Sequence, residues 1–93
     1  MSSELSRRRS RYDIYADVLD AVRRHGPCTI TMISYGARLP VDRAKRVVKR
    51  LEERGFLSSE HMRGRKHYVL TARGAEFLEL YKRLREMLAG LEE

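Results

Sequence analysis

Apolar side chains recur at helical spacing near the start of the chain. One stripe is made by Ile14, Val18, Ala21 and Val22, widened by Tyr15 and Leu19. This period predicts a helix that begins near Ser10 or Arg11 and ends at His25. Gly26-Pro27 ends the helix, because proline cannot continue the backbone hydrogen-bond pattern.

A second, shorter helix and a third one follow with almost no linker between them. Thr31 is the expected N-cap of the second helix, since its hydroxyl can accept a free backbone N–H of the first turn. The turn Arg38-Leu39-Pro40 leads directly into the third helix, predicted over Pro40–Arg54. Two helices joined this tightly cross at a large angle, and the second one projects its outer face. The pattern therefore predicts a helix-turn-helix.

The third helix is apolar on one face and basic on the other. The apolar stripe is made by Ala44, Val47, Val48 and Leu51, and the basic face by Arg43, Lys45, Arg46, Lys49 and Arg50. Gly55 then stands where a C-cap glycine is expected. A first strand is predicted from Phe56-Leu57 and a second over His67–Leu70, joined by the cationic turn Met62–Lys66. A basic helix followed by a basic hairpin predicts a winged helix-turn-helix, which is an α+β fold that is mostly α.

The last helix has a narrower apolar stripe with a different period. Its members recur at steps of four, three, four and three residues: Phe77, Tyr81, Leu84, Leu88 and Leu91. This 3.5-residue repeat is typical of a coiled-coil seam, so an extended C-terminal coiled-coil helix is predicted after an N-cap at Thr71. Packing on the first helix is the alternative, and it is expected for Phe77 and Leu78. Beyond Tyr81 a second chain is expected to cover the stripe, which predicts a homodimer.

These elements divide the chain into three parts. Residues 1–11 are expected to form a flexible basic arm, residues 12–74 a winged-helix DNA-binding domain, and residues 75–93 a dimerisation helix. The dimer interface is predicted at Tyr81, Leu84, Leu88 and Leu91.

The net charge of +7 is concentrated in a few segments. Residues 1–11 and 40–54 carry +3 each and residues 55–70 carry +2, whereas residues 12–39 are neutral and residues 71–93 carry −1. An anionic polymer is the natural partner for this distribution. The alternative is that basic runs are solvated faces that keep the chain soluble. The three basic segments are the arm, the third helix and the hairpin, which are the parts of a winged helix that can contact a duplex. Their charge therefore favours double-stranded DNA as the partner.

The composition indicates the cellular compartment of the protein more clearly than its source organism. The chain has no Asn, Gln or Trp, and sixteen of its twenty basic residues are Arg, which fits either a hyperthermophilic source or a GC-rich genome. Cys28 is the only cysteine, so it is expected to be a small buried hydrophobe, with an intersubunit disulfide as the alternative. The sequence has no apolar run typical of a signal peptide or a membrane span. A cytoplasmic, nucleoid-associated protein is therefore expected.

Three short motifs occur in a fixed order along most of the chain. They are Thr31-x-Ile33-x-Tyr35-x-Ala37-x-Leu39, Gly55-Phe56-Leu57 and Tyr68-x-Leu70-Thr71-x-Arg73-Gly74-x-x-Phe77-Leu78. In this order the chain resembles, over roughly residues 12–91, small archaeal winged helix-turn-helix DNA-binding proteins, the ArnR-like regulators and their chromatin-associated relatives. The resemblance implies a winged-helix fold, DNA as partner, and a dimer formed through a C-terminal coiled coil, often antiparallel. Two positions depart from it: Pro40 replaces a capping Ser, and Asp42 lies on the face expected to meet DNA.

Candidate DNA contacts follow from the docking geometry of this fold. The first turns of a helix in the major groove reach base edges, and flanking positions reach phosphates. The base-edge candidates are Asp42, Arg43, Lys45 and Arg46, and the phosphate candidates on the same helix are Lys49 and Arg50. Asp42 would repel phosphates or accept from a cytosine amino group. For each cation, a solvated surface charge is the alternative.

Further candidates lie outside the third helix. The wing tip offers Arg63, Arg65 and Lys66 to phosphates or the minor groove, with Gly64 permitting the tight turn. The arm residues Arg7, Arg8, Arg9 and Arg11 would follow a minor groove, or form a tail with nonspecific attraction. Tyr35 would offer its hydroxyl to a phosphate or pack half-buried.

Catalytic and metal-binding patterns are missing from the sequence. It contains no Gly-rich phosphate loop and no nucleophile signature. His25, His61 and His67 do not share a metal-ligand spacing with Cys28 or with one another. We therefore expect no enzyme activity, no cofactor, and no small-molecule ligand. The alternative function is a winged-helix protein-interaction scaffold that does not bind DNA, which the basic third helix disfavours because docking faces normally carry exposed apolar anchors.

Overall fold

The computed structural model describes residues 9–91 and contains four helices and two strands within them. They occur in the order α1 (Arg11–His25), α2 (Ile30–Ala37), α3 (Val41–Glu53), β1 (Leu57–Met62), β2 (Arg65–Leu70) and α4 (Ala72–Ala89). The strands pair as one antiparallel sheet, so the fold is a winged helix, mostly helical, with a two-stranded wing. The predicted order of elements is confirmed.

A capping box fixes the start of α1. The Ser10 hydroxyl accepts the Asp13 backbone N–H at 3.1 Å, and the Asp13 carboxylate accepts the Ser10 N–H at 2.8 Å. The predicted apolar stripe of this helix is buried. Since α1 begins at Arg11, the part of the predicted arm that the structure describes is limited to residues 9–10.

The second helix begins earlier than predicted. Its N-cap is Thr29, whose side chain accepts the Met32 N–H at 3.4 Å, and the prediction of Thr31 is wrong. The cause is the extended segment before the helix. Cys28 exchanges two backbone hydrogen bonds with Tyr68 of β2, at 2.9 and 2.7 Å, so the chain stays extended up to Thr29 and becomes helical immediately afterwards.

A tight turn joins α2 to α3. Arg38 ends α2 in the left-handed conformation, with φ 56°, and its N–H is donated to the Ser34 and Tyr35 carbonyls. Pro40 occupies the N-cap position of α3 and makes no side-chain cap, so α3 begins at Val41. The family that the chain resembles has a capping Ser at this position. No other described side chain of this protein takes over that cap.

The end of α3 leads straight into the wing. Gly55, with φ 84°, lets the Phe56 N–H reach the Leu51 carbonyl at 2.9 Å, which is the bond of a Schellman motif. In the sheet, Met62 pairs with Arg65, leaving a two-residue turn. The second strand therefore starts at Arg65, two residues before the predicted start at His67.

The core lies between α1, α2, α3 and the base of the wing. Its largest fully buried side chains are Leu19, Ile33, Leu57, Val18, Val22, Val48 and Cys28. Burial raises the pKa of the Cys28 thiol, which donates to the Gly26 carbonyl at 3.0 Å. A sulfur enclosed in this way cannot reach the sulfur of another subunit, so the structure favours the buried hydrophobe over the intersubunit disulfide.

The last helix is anchored at its first turn. Thr71 accepts the Gly74 N–H at 3.0 Å and donates to the Gly55 carbonyl at 2.7 Å, as a predicted N-cap should. Phe77 and Leu78 pack against the core, which confirms the expectation for this end of the helix. The eighteen residues of α4 make a rod of about 27 Å, and the molecule measures 49 × 26 × 21 Å.

Candidate nucleic-acid interface

One flank of α3 lies beside the wing. The Glu52 carboxylate accepts from the Ser59 hydroxyl at 2.7 Å and lies 3.6 Å from Lys66 Nζ. Residues three and seven positions apart share a helix face, so Lys49 and Lys45 follow the same flank toward the start of α3. The lysines of α3 and the cations of the wing therefore belong to neighbouring surfaces.

The other flank of α3 faces α1. Arg50 donates to the Tyr15 hydroxyl at 3.0 Å, and this hydrogen bond raises the pKa of Arg50. Arg46 and Arg43, four and seven positions earlier, follow the same flank. They line a groove of about 250 Å³ together with Arg11 of α1 and the side chains beneath it. We call the set Arg11, Arg43, Arg46 and Arg50 the arginine groove. Sequence reasoning missed this grouping, because nothing local relates Arg11 to α3.

All six predicted contacts on α3 are exposed. We call this set of residues the α3 basic face: Asp42, Arg43, Lys45, Arg46, Lys49 and Arg50. Helical spacing puts Asp42 in line with Arg46 and Lys49, between the two flanks. Asp42 thus lies among the cations at the start of this face, and the exposed Glu53 lies in line with it at the far end of α3.

The hairpin tip consists of Arg63, Gly64, Arg65 and Lys66, and all four are exposed. Arg63 and Arg65 make no ion pair within residues 9–91, whereas Lys66 contacts Glu52 and lies over the Tyr68 ring at 5.2 Å from its centroid. Tyr68 and then Glu52 raise the pKa of Lys66, so its ammonium stays charged at neutral pH. Arg63 and Arg65 are therefore more available than Lys66 to contact an external anion.

The remaining predicted contacts have different surroundings. Tyr35 is 84% exposed, so its half-buried packing alternative is wrong and its hydroxyl faces solvent. Arg9 contacts Asp17 at 2.9 Å and donates to the Ala37 and Arg38 carbonyls at 2.6 and 2.9 Å. This guanidinium therefore braces the turn between α2 and α3. The predicted contacts Arg7 and Arg8 lie outside the described residues.

A separate, apolar groove runs between the start of α1 and α4. It has a volume of about 520 Å³, and its apolar lining is Tyr12, Phe77, Leu80, Tyr81, Leu84 and Leu88. Leu84 is 51% exposed, Leu88 44% and Leu91 81%. Three of the four predicted interface residues are thus exposed, and Tyr81 is half-buried.

Two other kinds of site receive no support from the geometry. In the stretch 9–91, no three His, Cys, Asp or Glu side chains are grouped so as to hold a metal ion. None of the helices described there combines the length and the apolar character needed to cross a bilayer.

The arrangement of three helices, a wing and a basic third helix defines a winged helix-turn-helix protein. The winged helix-turn-helix family model matches residues 8–89, and the chain belongs to that family. No curated protein sequence gives a significant match.

Several solved structures share this fold. Sso10a-2, a DNA-binding protein from Sulfolobus solfataricus, is 26% identical with a TM-score of 0.75, and the match covers 90% of each chain. BpsR of Bordetella bronchiseptica, whose DNA binding is regulated by 6-hydroxynicotinic acid, is 23% identical with a TM-score of 0.75, over 83% of this chain and 57% of that one. MepR, a transcription regulator of the Staphylococcus aureus multidrug efflux pump MepA, is 16% identical with a TM-score of 0.74, over 97% of this chain and 68% of that one.

Proposed function

We propose that this protein binds double-stranded DNA as a homodimer and acts in the cytoplasm, on the nucleoid, as a transcriptional regulator or an architectural protein. The observation that carries the proposal is the continuity between the α3 basic face and the hairpin tip, joined where Glu52 meets Lys66. A duplex against this surface would take α3 in its major groove and the wing on its backbone or minor groove. The match to Sso10a-2 over nine tenths of both chains supports the same function.

The roles of the individual side chains follow from their positions on α3. Asp42, Arg43, Lys45 and Arg46 lie in its first two turns and are assigned to base edges, and Lys49 and Arg50 further along are assigned to phosphates. Arg63, Arg65 and Lys66 are assigned to the backbone or the minor groove, and the Tyr35 hydroxyl to a phosphate. Lys66 contributes less than its neighbours, because Glu52 competes for its charge.

The apolar groove supports the homodimer. Exposed leucines repeat along α4 at the spacing of a coiled-coil seam, and water is the alternative partner for them in a monomer. Pairing of two α4 helices, the arrangement that the resemblance to ArnR-like proteins implies, would cover Tyr81, Leu84, Leu88 and Leu91. The same apolar surface would serve a protein-interaction scaffold, which is the outcome to accept if no DNA is bound.

Binding to random-sequence duplexes at several salt concentrations tests the proposal. Each phosphate contact contributes about 0.9 to the slope of log affinity against log salt, so two basic subunits predict a steep fall. Arg46→Ala should weaken some sequences more than others, whereas Arg65→Ala should weaken all of them about equally. A flat salt response, or no retention on DNA at low salt, would reject DNA binding. Equal losses on every duplex for both variants would reject base reading by Arg46.

A further inference from the structure

The arginine groove brings four guanidinium groups around one depression. Arg11 comes from the first turn of α1, and Arg43, Arg46 and Arg50 come from one flank of α3. The groove is also lined by Ile14, Tyr15 and Val47, and no carboxylate lines it. Apolar surface therefore lies in the same groove as the four exposed arginines.

Among the residues that the structure describes, four arginines outside the groove pair with the acids of α1. Asp20 pairs with both Arg23 and Arg24, and the other two acids of α1 pair with arginines as well: Asp17 with Arg9 and Asp13 with Arg85. In the part of the chain that the structure describes, none of the four arginines of the groove has an ion pair. The acids of α1 are thus paired outside the groove, and Glu53 raises the pKa of Arg50 only after the larger effects of Tyr15. The positive charge of the groove therefore favours an anion.

The local geometry suits a phosphate. The Tyr15 hydroxyl accepts from Arg50 at 3.0 Å, which leaves its own proton free to donate into the groove. The volume of about 250 Å³ is below the roughly 300–1,000 Å³ typical of small-molecule pockets, so a single compact anionic group fits better than an extended organic ligand.

We infer that the arginine groove is a phosphate-binding site, with Arg11, Tyr15 and Arg50 as its contacts and with Arg43 and Arg46 adding positive charge beside it. Guanidinium forks match the oxygens of a phosphate and hold it with charge-assisted hydrogen bonds. The phosphate can come from the backbone of a bound duplex or from a small phosphorylated molecule. The first source rests on the proposed function, and the second is independent of it.

Titration with pyrophosphate, followed by the amide and arginine Nε signals in NMR spectra, tests the site directly. We expect saturable shifts confined to the first turn of α1 and to α3. Arg11→Ala should weaken binding of pyrophosphate about tenfold, the loss expected for one strong charge-assisted contact. Arg24→Ala is the matched control, because it removes the same charge from the other end of α1, and it should leave the affinity nearly unchanged. Thermal unfolding of both variants verifies that they are folded.

The salt dependence of duplex binding distinguishes the two sources. If Arg11→Ala lowers the slope by about 0.9 per subunit, the duplex supplies the phosphate. If the slope is unchanged but pyrophosphate binding is weakened, a small phosphorylated molecule supplies it.

Two results overturn the site itself. One is the lack of saturable shifts with pyrophosphate, and the other is equal weakening by Arg24→Ala and Arg11→Ala. Retained duplex binding in either case would leave the proposed function standing. Conversely, a wild-type protein that binds pyrophosphate and no duplex would retain the phosphate site and lose the proposed function.

Discussion

Arg63 holds a backbone conformation that arginine rarely adopts. It lies at φ 54° and Gly64 at φ 77°, which are the signs required by a two-residue type I′ turn. Asn-Gly is the preferred pair for this turn, and a left-handed arginine costs about 1–2 kcal/mol. An exposed arginine at such a position contributes its charge to the hairpin tip at the expense of stability.

Replacement of Arg63 should separate stability from binding. We expect Arg63→Asn to raise the free energy of unfolding by about 1 kcal/mol, because asparagine tolerates the left-handed region. The same variant should bind duplex DNA more weakly. Arg65→Asn is the control, since it removes the same charge from a position without a positive φ and should weaken binding with no gain in stability. Unfolding in denaturant and a duplex titration measure the two effects, and an Arg63→Asn variant that changes neither would contradict this account.

At the residue scale, charge was predictable and pairing was not. The exposed cations of α3 stand out in the sequence because they fill the positions between members of its apolar stripe, and those of the tip because they flank the turn glycine Gly64. Their partners are distant: Glu52 meets Lys66 of the wing, and Arg50 meets Tyr15 of α1. A single sequence does not encode such long-range pairs in any local pattern, so the arginine groove became visible only in the folded chain.

At the scale of elements, helix α4 is locked to the wing by a close backbone approach. A Cβ on Gly74 would clash with the Phe56 carbonyl oxygen and stand 2.6 Å from Leu70 Cδ1. Gly74 belongs to the third sequence motif, but the sequence alone gives no reason for a glycine in the first turn of a helix. The reason is that α4 leaves the wing across the backbone of Phe56.

Substitution of this glycine should therefore destabilise the fold. Gly74→Ala is expected to cost at least about 1–3 kcal/mol in the free energy of unfolding, since backbone atoms cannot move aside as side chains do. Gly90→Ala is the matched control: the nearest atom to its added Cβ, the Met87 carbonyl oxygen, is 3.5 Å away. Chemical denaturation of both variants compares them, and equal stabilities would show that the close approach is unimportant.

The helices and strands were predictable because the apolar periods end where glycine and proline residues occur. Gly26-Pro27 lies between α1 and α2, Pro40 between α2 and α3, and Gly55 between α3 and β1. The errors fall at boundaries that tertiary contacts decide. Thr29 replaces Thr31 as N-cap because Cys28 is tied to Tyr68, and β2 begins at Arg65 because the turn takes only two residues.

At the scale of the whole molecule, the exposed apolar stripe of α4 and the basic surface are what the proposed homodimer would explain together. A body that measures 49 Å in its longest direction leaves the end of α4 with apolar side chains in water. A second α4 would bury them and would place two α3 basic faces in one particle. Such a pair could contact two half-sites, as dimeric helix-turn-helix proteins do.

Charges placed in the seam test the dimer. We expect the double variant Leu84→Glu with Leu88→Glu to sediment as a monomer and the wild-type protein as a dimer, because buried carboxylates repel each other across the seam. Glu86→Lys is the control: it lies two residues from each leucine, on the other side of α4, and should remain dimeric. An unchanged mass for the double variant would exclude α4 as the interface.

The central claim is that one surface, built from the α3 basic face and the hairpin tip, receives the duplex. Amide chemical-shift changes on titration with a short duplex test it most directly. We predict that signals from residues 41–50 and 63–66 shift together and saturate at the same DNA concentration, while signals along the exposed stripe of α4 do not respond. Shifts confined to α4, or shifts in the wing without shifts in α3, would contradict the account.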